Sequence, residues 1–490
     1  MNRRDFIALG AAIAPVACSD MPAGGDAAAA SPLPYMGLAT SMNGELAYEA
    51  RVEGRLPPEL KGTLYRNGPG LFERAGHRKQ HLLDGDGMIR EYRFDGSRAF
   101  FRNRFVRTRK YVDESRAGKY LYSSWATLLP GGMMANMFPE FADGQASVSA
   151  RFRNGRLFAF DETCQPYELD PRSLDTIGLS RLGLPEGFTL YSAHPKEDPR
   201  TGDWIHFGLQ YGRNVTIHLT EFTRDGTLKW HRALQSPRYV YVHDFFVTER
   251  YIALYLHPAE IGLANFLLGR RSLLGSVTWK PEEGALLLAV RRGSDDPPVL
   301  IDCAAQWMWH SLNAYDQGDA IVADYVGYDN PDLFVGEDAT FRAVMEGREG
   351  RIGARGAVRR MVIEPARRSA KSEILDGGNQ DFPTIDPADA LRRHRYGYFA
   401  VSTTERPFPD AVARMDMGSG ARDVYTFGPQ RYSAEPIHAD GWLLVEVHDG
   451  RTRRNELAVL RADRLRDGPV ARVELQHGLP LSFHGCWVAA

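Results

Sequence analysis

The sequence predicts an all-β protein, a sandwich, barrel or propeller, and three observations carry that prediction. Short segments that alternate apolar and polar residues, or run apolar, recur along the body of the chain. They cover Trp204–Tyr211, Asn214–Thr223, Tyr251–His257, Ala285–Arg291, Ala320–Val326, Arg359–Pro365, Tyr396–Thr404, Gly441–Asp449, Asn455–Ala462 and Ala471–Gln476. Period-two alternation is the mark of half-buried antiparallel strands. Second, the punctuation is turn chemistry: Asp95-Gly96, Asn154-Gly155, Asp225-Gly226, Asp440-Gly441 and Asp449-Gly450 accept positive φ cheaply. Third, helical text is scarce, with Asp338–Glu349 and Asp386–His394 as short candidates. No clean repeat is visible, so a propeller would have diverged blades.

Composition narrows the class further. Of 490 residues, 60 are Lys or Arg and 62 are Asp or Glu, a formal net charge of -2. So even a balance argues against a broad basic surface that reads nucleic-acid phosphates, and no nucleic-acid partner is expected. Apolar content of 43% and charged content of 25% are those of a packed globule, which excludes disorder, collagen and coiled coil. The longest apolar stretch, Phe6–Cys18, is too short to cross a bilayer core of about 30 Å.

The first thirty residues read as an address. Arg3 and Arg4 are adjacent, Phe6 follows, and a short apolar run comes next, the layout of a twin-arginine export leader. The stretch after it, PAGGDAAAASP, is unfit for a core. The expectation is a leader and flexible segment over 1–30, a single domain over 31–490, and periplasmic delivery. Cys18 is a candidate lipidation site, although Pro15 sits where a lipoprotein signal usually carries Leu. Without the leader, Cys164, Cys303 and Cys486 remain, and they form no disulfide framework or Cys-x-x-Cys site.

Ile261–Gly275 stands apart. It sets Leu263, Phe266, Leu267, Leu268, Leu273 and Leu274 around Arg270 and Arg271. Such a segment is either a buried insertion or an apolar patch with cationic flanks that makes a peripheral membrane contact.

Fourteen histidines are present. Most sit in strand text and read as core or solvated groups. Four have apolar or aromatic settings beside small residues: His194, His243, His310 and His484. Their separations are 49, 67 and 174, far beyond the spacing of local metal motifs. Radial repetition would reconcile them. A compact propeller blade takes about 40–50 residues, and more with insertions, so the first gaps each match one blade.

In order along the chain stand Tyr65-Arg66-Asn67-Gly68-Pro69, His81-Leu82-Leu83-Asp84-Gly85-Asp86-Gly87-Met88, Arg104-Phe105-Val106-Arg107-Thr108, Pro166-Tyr167-Glu168-Leu169-Asp170-Pro171 and the four histidine contexts. With these the chain resembles the carotenoid cleavage oxygenase family, which includes apocarotenoid and lignostilbene dioxygenases and the retinoid isomerase of the eye. The resemblance runs from about residue 50 to the C-terminus. It implies a seven-bladed β-propeller capped by loops and short helices, with one axial Fe(II) held by His194, His243, His310 and His484. It also implies carboxylates behind the imidazoles: Glu162, Glu435, and Asp381 where the family usually has Glu. Asp is one methylene shorter, so the strand shifts inward, a water bridges, or the histidine is held less firmly. The loop after Glu435 is also expected to be short.

The resemblance implies a non-haem Fe(II) dioxygenase that cleaves a conjugated carbon–carbon double bond of a carotenoid or apocarotenoid with O2, giving two carbonyl products. The substrate would be a hydrophobic small molecule, and no side chain beyond the iron ligands is expected to act as a catalyst. A stilbene double-bond dioxygenase is the alternative; such members hold a phenol with Tyr and Lys, and Gly144–Ser149 carries no lysine. A non-catalytic propeller is the third reading.

Overall fold

The computed structural model describes residues 33–139, 144–162, 164–184, 191–333, 335, 340–350 and 352–490. The expected leader, with Arg3, Arg4 and Cys18, lies outside them. Five four-stranded antiparallel sheets follow one another along the chain. They are built from the strands within 149–179, 196–235, 246–303, 307–376 and 380–426. A ten-stranded sheet completes the array by joining the two ends of the described chain. In it Ala47–Gly54 pairs with both Pro469–Glu474 and Ala99–Phe105, and Gly485–Ala489 pairs with Lys61–Arg66. Divided at Ala47–Gly54, this sheet holds two further four-strand sets, Arg431–Glu474 on one side and Lys61–Arg66, Asp86–Asp95, Ala99–Phe105 and Gly485–Ala489 on the other, with the short Pro69–Leu71 pairing off the path against Asp86–Asp95. Counted as blades, these bring the five to seven; counted by hydrogen bonds they are one sheet.

Every expected strand is a strand, with ends moved by a few residues; Arg359–Pro365, for example, is Ala357–Glu364. The turns behave as their chemistry demands. Asp440 and Gly441 both take positive φ (50° and 87°), as do Asn154 and Gly155 (49° and 73°), so each pair closes a two-residue hairpin. Glu435 therefore lies inside the strand Arg431–Ala439, and a tight turn rather than a loop follows it.

Two helical expectations fare differently. The first yields the helix Thr340–Met345. Asp386–His394 is not a helix: Asp386 caps a single 3-10 turn, Pro387–Asp389, and Leu391 then takes φ 63°, which ends any helical course. Sheet faces bury against their neighbours, as where Phe207, Ile217, Val242, Leu254 and Leu288 form one cluster. Among the described residues no helix is long and apolar enough to cross a membrane.

Candidate metal centre

Three of the four histidines precede a strand by one to three residues, and the fourth lies within one. His194 stands before Lys196–Glu197, His243 before Phe246–Val247, His484 before Gly485–Ala489, and His310 within Trp307–Gln317. The last strand has register shifts on both sides of His310, and such bulges re-aim a side chain. Hydroxyls lock neighbouring entries together. Ser149 donates to Ala193 O (2.6 Å) and Ser192 to His243 O (2.9 Å).

The result is one buried cluster. The ligand atoms of His194, His243, His310 and His484 all lie within 4.8 Å of one another. Successive Nε2 atoms are 3.0, 3.4 and 3.2 Å apart. An imidazole nitrogen binds a transition metal at about 2.0–2.1 Å, so ligands at right angles on one ion sit about 3 Å apart. The opposite ring nitrogens are already engaged. His310 Nδ1 meets Asp381 Oδ1 at 2.7 Å and His484 Nδ1 meets Glu435 Oε1 at 2.8 Å. Glu162 Oε1 lies 2.6 Å from His243 Nδ1. A proton on each Nδ1 leaves the Nε2 lone pairs converging, an arrangement that repels itself unless a cation sits among them. The donor set thus fits a metal, and imidazole suits Fe, Zn, Cu and Ni.

His194 differs. Its recorded carboxylate contact, Asp244 Oδ2 at 4.0 Å, is too long for a hydrogen bond. Asp244 is engaged instead by Lys196 Nζ (2.7 Å) and by the Ser311 N–H and hydroxyl (both 2.8 Å).

Electrostatics follow from burial. In the metal-free arrangement, burial and then the neighbouring imidazoles hold His194 and His484 well below the ordinary histidine value, so both are neutral donors. Burial lowers His243 too, but the Glu162 charge and hydrogen bond outweigh it and leave that imidazole raised. Burial pushes the Glu435 carboxyl up to about 7. For Asp381 burial acts the same way, yet His310 and the hydrogen bonds from Tyr328 and Phe382 win, and its carboxyl is lowered. Tyr241 and Tyr328 are held well above the ordinary phenol value, by burial first and then by Glu162 and Asp381. Both remain donors: Tyr241 to Glu162 Oε2 (2.5 Å) and Tyr328 to Asp381 Oδ2 (2.7 Å).

The shorter Asp381 therefore reaches His310 directly, without a bridging water. The strand that carries it is distorted just beyond Asp381. The register shifts between Asp381 and Thr384, and Phe382 takes φ 51°, a left-handed conformation that costs a bulky residue about 1–2 kcal/mol. The Phe382 ring stacks on His310, 5.2 Å between centroids.

A pocket opens onto three of the histidines. Leu83, Trp125, Val148, Leu274, Trp309, Phe382 and Phe483 give it apolar walls, and Tyr241 and Glu162 also face it. Apart from Leu83 in the pocket wall, the motifs around residues 65–88 turn out to be scaffold. Buried Arg66 donates to Glu435 O (2.7 Å), Phe483 O (3.0 Å) and Ser482 Oγ (2.9 Å), which clamps the segments carrying Glu435 and His484. Asn67 Nδ2 donates to Ala146 O and Ser149 O. Asp84 accepts from the Ala126 N–H beside pocket residue Trp125. Arg66, Tyr328 and Phe382 were not singled out from the sequence. Only the placement of Arg66 in a quoted motif pointed to it.

Fold and site together define a propeller-like scaffold with a candidate four-histidine metal centre. The chain belongs to the family described as retinal pigment epithelial membrane protein, whose profile matches residues 39–489. It is 31% identical over 458 residues to the apocarotenoid-15,15'-oxygenase of Synechocystis sp., covering 89% of this chain and 92% of that one. It is 25% identical over 475 residues to the lignostilbene-alpha,beta-dioxygenase isozyme III of Sphingomonas paucimobilis (90% and 94% covered). The cobalt-substituted Synechocystis enzyme superposes with a TM-score of 0.88 at 29% identity, over 94% of this chain and 99% of that structure.

Proposed function

We propose that this chain is a non-haem Fe(II) dioxygenase that cleaves a conjugated double bond of an apocarotenoid or carotenoid with O2, releasing two carbonyl fragments. The observation that carries the reading is the pairing of four convergent imidazoles with an apolar pocket that opens on them. His194, His243, His310 and His484 would hold the iron, and bound there it supplies O2 activation. The chain's own residues do the rest. Glu162, Asp381 and Glu435 fix the tautomers and orientations of three imidazoles. Trp125, Leu274, Trp309 and Phe483 exclude water and hold an apolar chain. No group is needed to move a proton.

Among the described lining residues there is no lysine. Lys79 is buried nearby in sequence, but it donates to Ser124 (3.0 Å) and lies over the Tyr120 ring. That favours a carotenoid-type chain over a phenol anchored by Lys. Among the described lining residues Tyr241 is the phenol that would suit a stilbene, and isoeugenol monooxygenase of Pseudomonas nitroreducens is a relative at 27% identity. A turnover panel of apocarotenals, carotenoids, stilbenes and isoeugenol decides. The proposal expects apocarotenal cleavage with the highest kcat/KM; preferential stilbene cleavage overturns it.

The substrate enters from an apolar surface. In Ile261–Gly275 itself, Phe266 and Leu274 are buried and the other leucines half-buried. Exposure lies instead on the neighbouring segment: Met133 (45%), Met134 (76%) and Phe138 (64%). The two segments join through Phe138 N–H to Leu267 O and Leu274 N–H to Trp125 O, and Leu274 and Trp125 line the pocket. With exposed Arg270 and Arg271 beside it, this surface makes the peripheral membrane contact. Delivery to the periplasm by the leader completes the proposal.

A further inference from the structure

The Asp381 carboxylate has three donors. His310 Nδ1–H (2.7 Å) and the Phe382 N–H (2.8 Å) both reach Oδ1, and the Tyr328 hydroxyl (2.7 Å) reaches Oδ2. Among the described residues no other donor meets Oδ2. A carboxylate held through one oxygen alone still turns about its terminal torsion, which is broad and roughly two-fold. Tyr328 pins the second oxygen and so fixes the plane in which Oδ1 receives the imidazole N–H.

We propose that Tyr328 is a positioning residue for the metal centre: its hydroxyl holds Asp381, and Asp381 orients His310. The proposal rests on the reading of the four imidazoles as a metal site.

The surrounding chain is shaped for this hydroxyl. Tyr328 ends the strand Ala320–Tyr328 and is 3% exposed, while Asp381 belongs to the first strand of the next sheet. Gly356 packs against the Tyr328 ring and the backbone of Gln380. A Cβ there would lie 2.9 Å from both Cζ and Oη of Tyr328 and 2.0 Å from Gln380 O. Any larger residue would push the phenol away or displace the residue that precedes Asp381. Gly356 O also accepts from the Gln380 N–H (3.0 Å), which ties the strand carrying Asp381 to the same point. A phenylalanine at 328 would fill the space but leave Oδ2 buried without a donor, a cost distinct from packing.

Tyr241 stands in the same relation to Glu162 and His243. It also faces the pocket, so its removal would alter substrate contacts. Tyr328 does not line the pocket, and its variants report orientation alone.

The test uses metal affinity, not turnover. Apoprotein is titrated with Co2+ and followed by visible absorption, for the parent, Tyr328→Phe, Asp381→Ala and the double variant. Tyr328→Phe is expected to bind about tenfold more weakly, the low end of the roughly 10–100-fold cost of losing an outer hydrogen-bond partner. Its metal-free melting temperature should stay within a few degrees of the parent. The double variant should match Asp381→Ala within twofold, because Tyr328 has nothing left to hold. Parent-like affinity in Tyr328→Phe overturns the proposal. So does a further tenfold loss when Tyr328→Phe is added to Asp381→Ala, which would show that the phenol acts on its own. Failure of the parent to bind Co2+ refutes the metal-site reading itself, an outcome separable from both.

Discussion

Glu435→Gln offers a prediction whose size follows from the structure. Glu435 accepts from His484 Nδ1 at 2.8 Å and from the Gly485 N–H at 3.1 Å, and burial raises its carboxyl to about 7 in the metal-free protein. A metal on His484 makes the imidazole a stronger donor and favours the carboxylate. Metal uptake must then expel the Glu435 proton wherever that proton is present. At pH 8 the parent carboxyl is mostly ionised, and the neutral amide should cost the roughly 10–100-fold typical of such a partner. At pH 5.5, about 1.5 units below the raised value, expelling the proton costs the parent about 30-fold. The variant carries no such proton, so the two affinities should converge to within roughly threefold. Protons on the histidines affect both proteins and cancel in the ratio. Competitive Co2+ titration of parent and variant from pH 5.5 to 8 reads this directly. A gap that stays constant with pH would refute the reasoning. Linkage also sets the sign for the metal-free fold: the raised Glu435 stabilises fully below about pH 4.5 and ceases to do so as pH rises through about 7.

The remaining expectations test other parts. Each of His194→Ala, His243→Ala, His310→Ala and His484→Ala should lose iron, measured by metal analysis after anaerobic purification, or lose activity; an active His310→Ala protein with full iron would sink the assignment. Asp381→Glu should disturb the Phe382 turn and shift the metal affinity by less than tenfold, whereas Asp381→Asn should weaken it by roughly 10–100-fold; equality of Asn with the parent would make Asp381 a plain strand residue. Met134→Ser with Phe138→Ser should reduce co-sedimentation with anionic vesicles and leave turnover of detergent-dispersed substrate unchanged; unaltered co-sedimentation would remove the membrane role of this surface. Replacement of Arg3 and Arg4 by Lys should retain the precursor in the cytoplasm, and unchanged export in a strain without the twin-arginine translocase would refute the leader.

How much of this was legible depended on which signal each element carries. Some strands with a solvated face announced themselves by alternation, as Val215–Phe222 and Pro469–Glu474 did. Trp307–Gln317 escaped, because its first nine residues are all buried and do not alternate. The helix Arg109–Ala117 escaped for the opposite reason. The residues it buries are Lys110 and Glu114, with Lys110 donating to both Glu114 and Asp86, so it carries no apolar stripe. The spacing of His194, His243 and His310 suggested successive sheets, and the structure places them so. The carboxylates were visible only through the resemblance, since Asp381 lies 71 residues from His310 and Glu435 lies 49 from His484. The Phe382 conformation and the Tyr328 contact are tertiary, and no local pattern encodes them. In Ile261–Gly275 Phe266 and Leu274 are buried and the other leucines half-buried, whereas Met134 and Phe138, outside that segment, are exposed, a difference that no local pattern in the sequence marks.

The central claim is that O2 is inserted across a carbon–carbon double bond at the four-histidine site. The most direct measurement supplies 18O2 to iron-loaded protein and an apocarotenal, with rapid quenching and mass spectrometry of both fragments. One new labelled oxygen on each carbonyl fragment is the predicted result. Label in only one fragment, with water supplying the other oxygen, would contradict it.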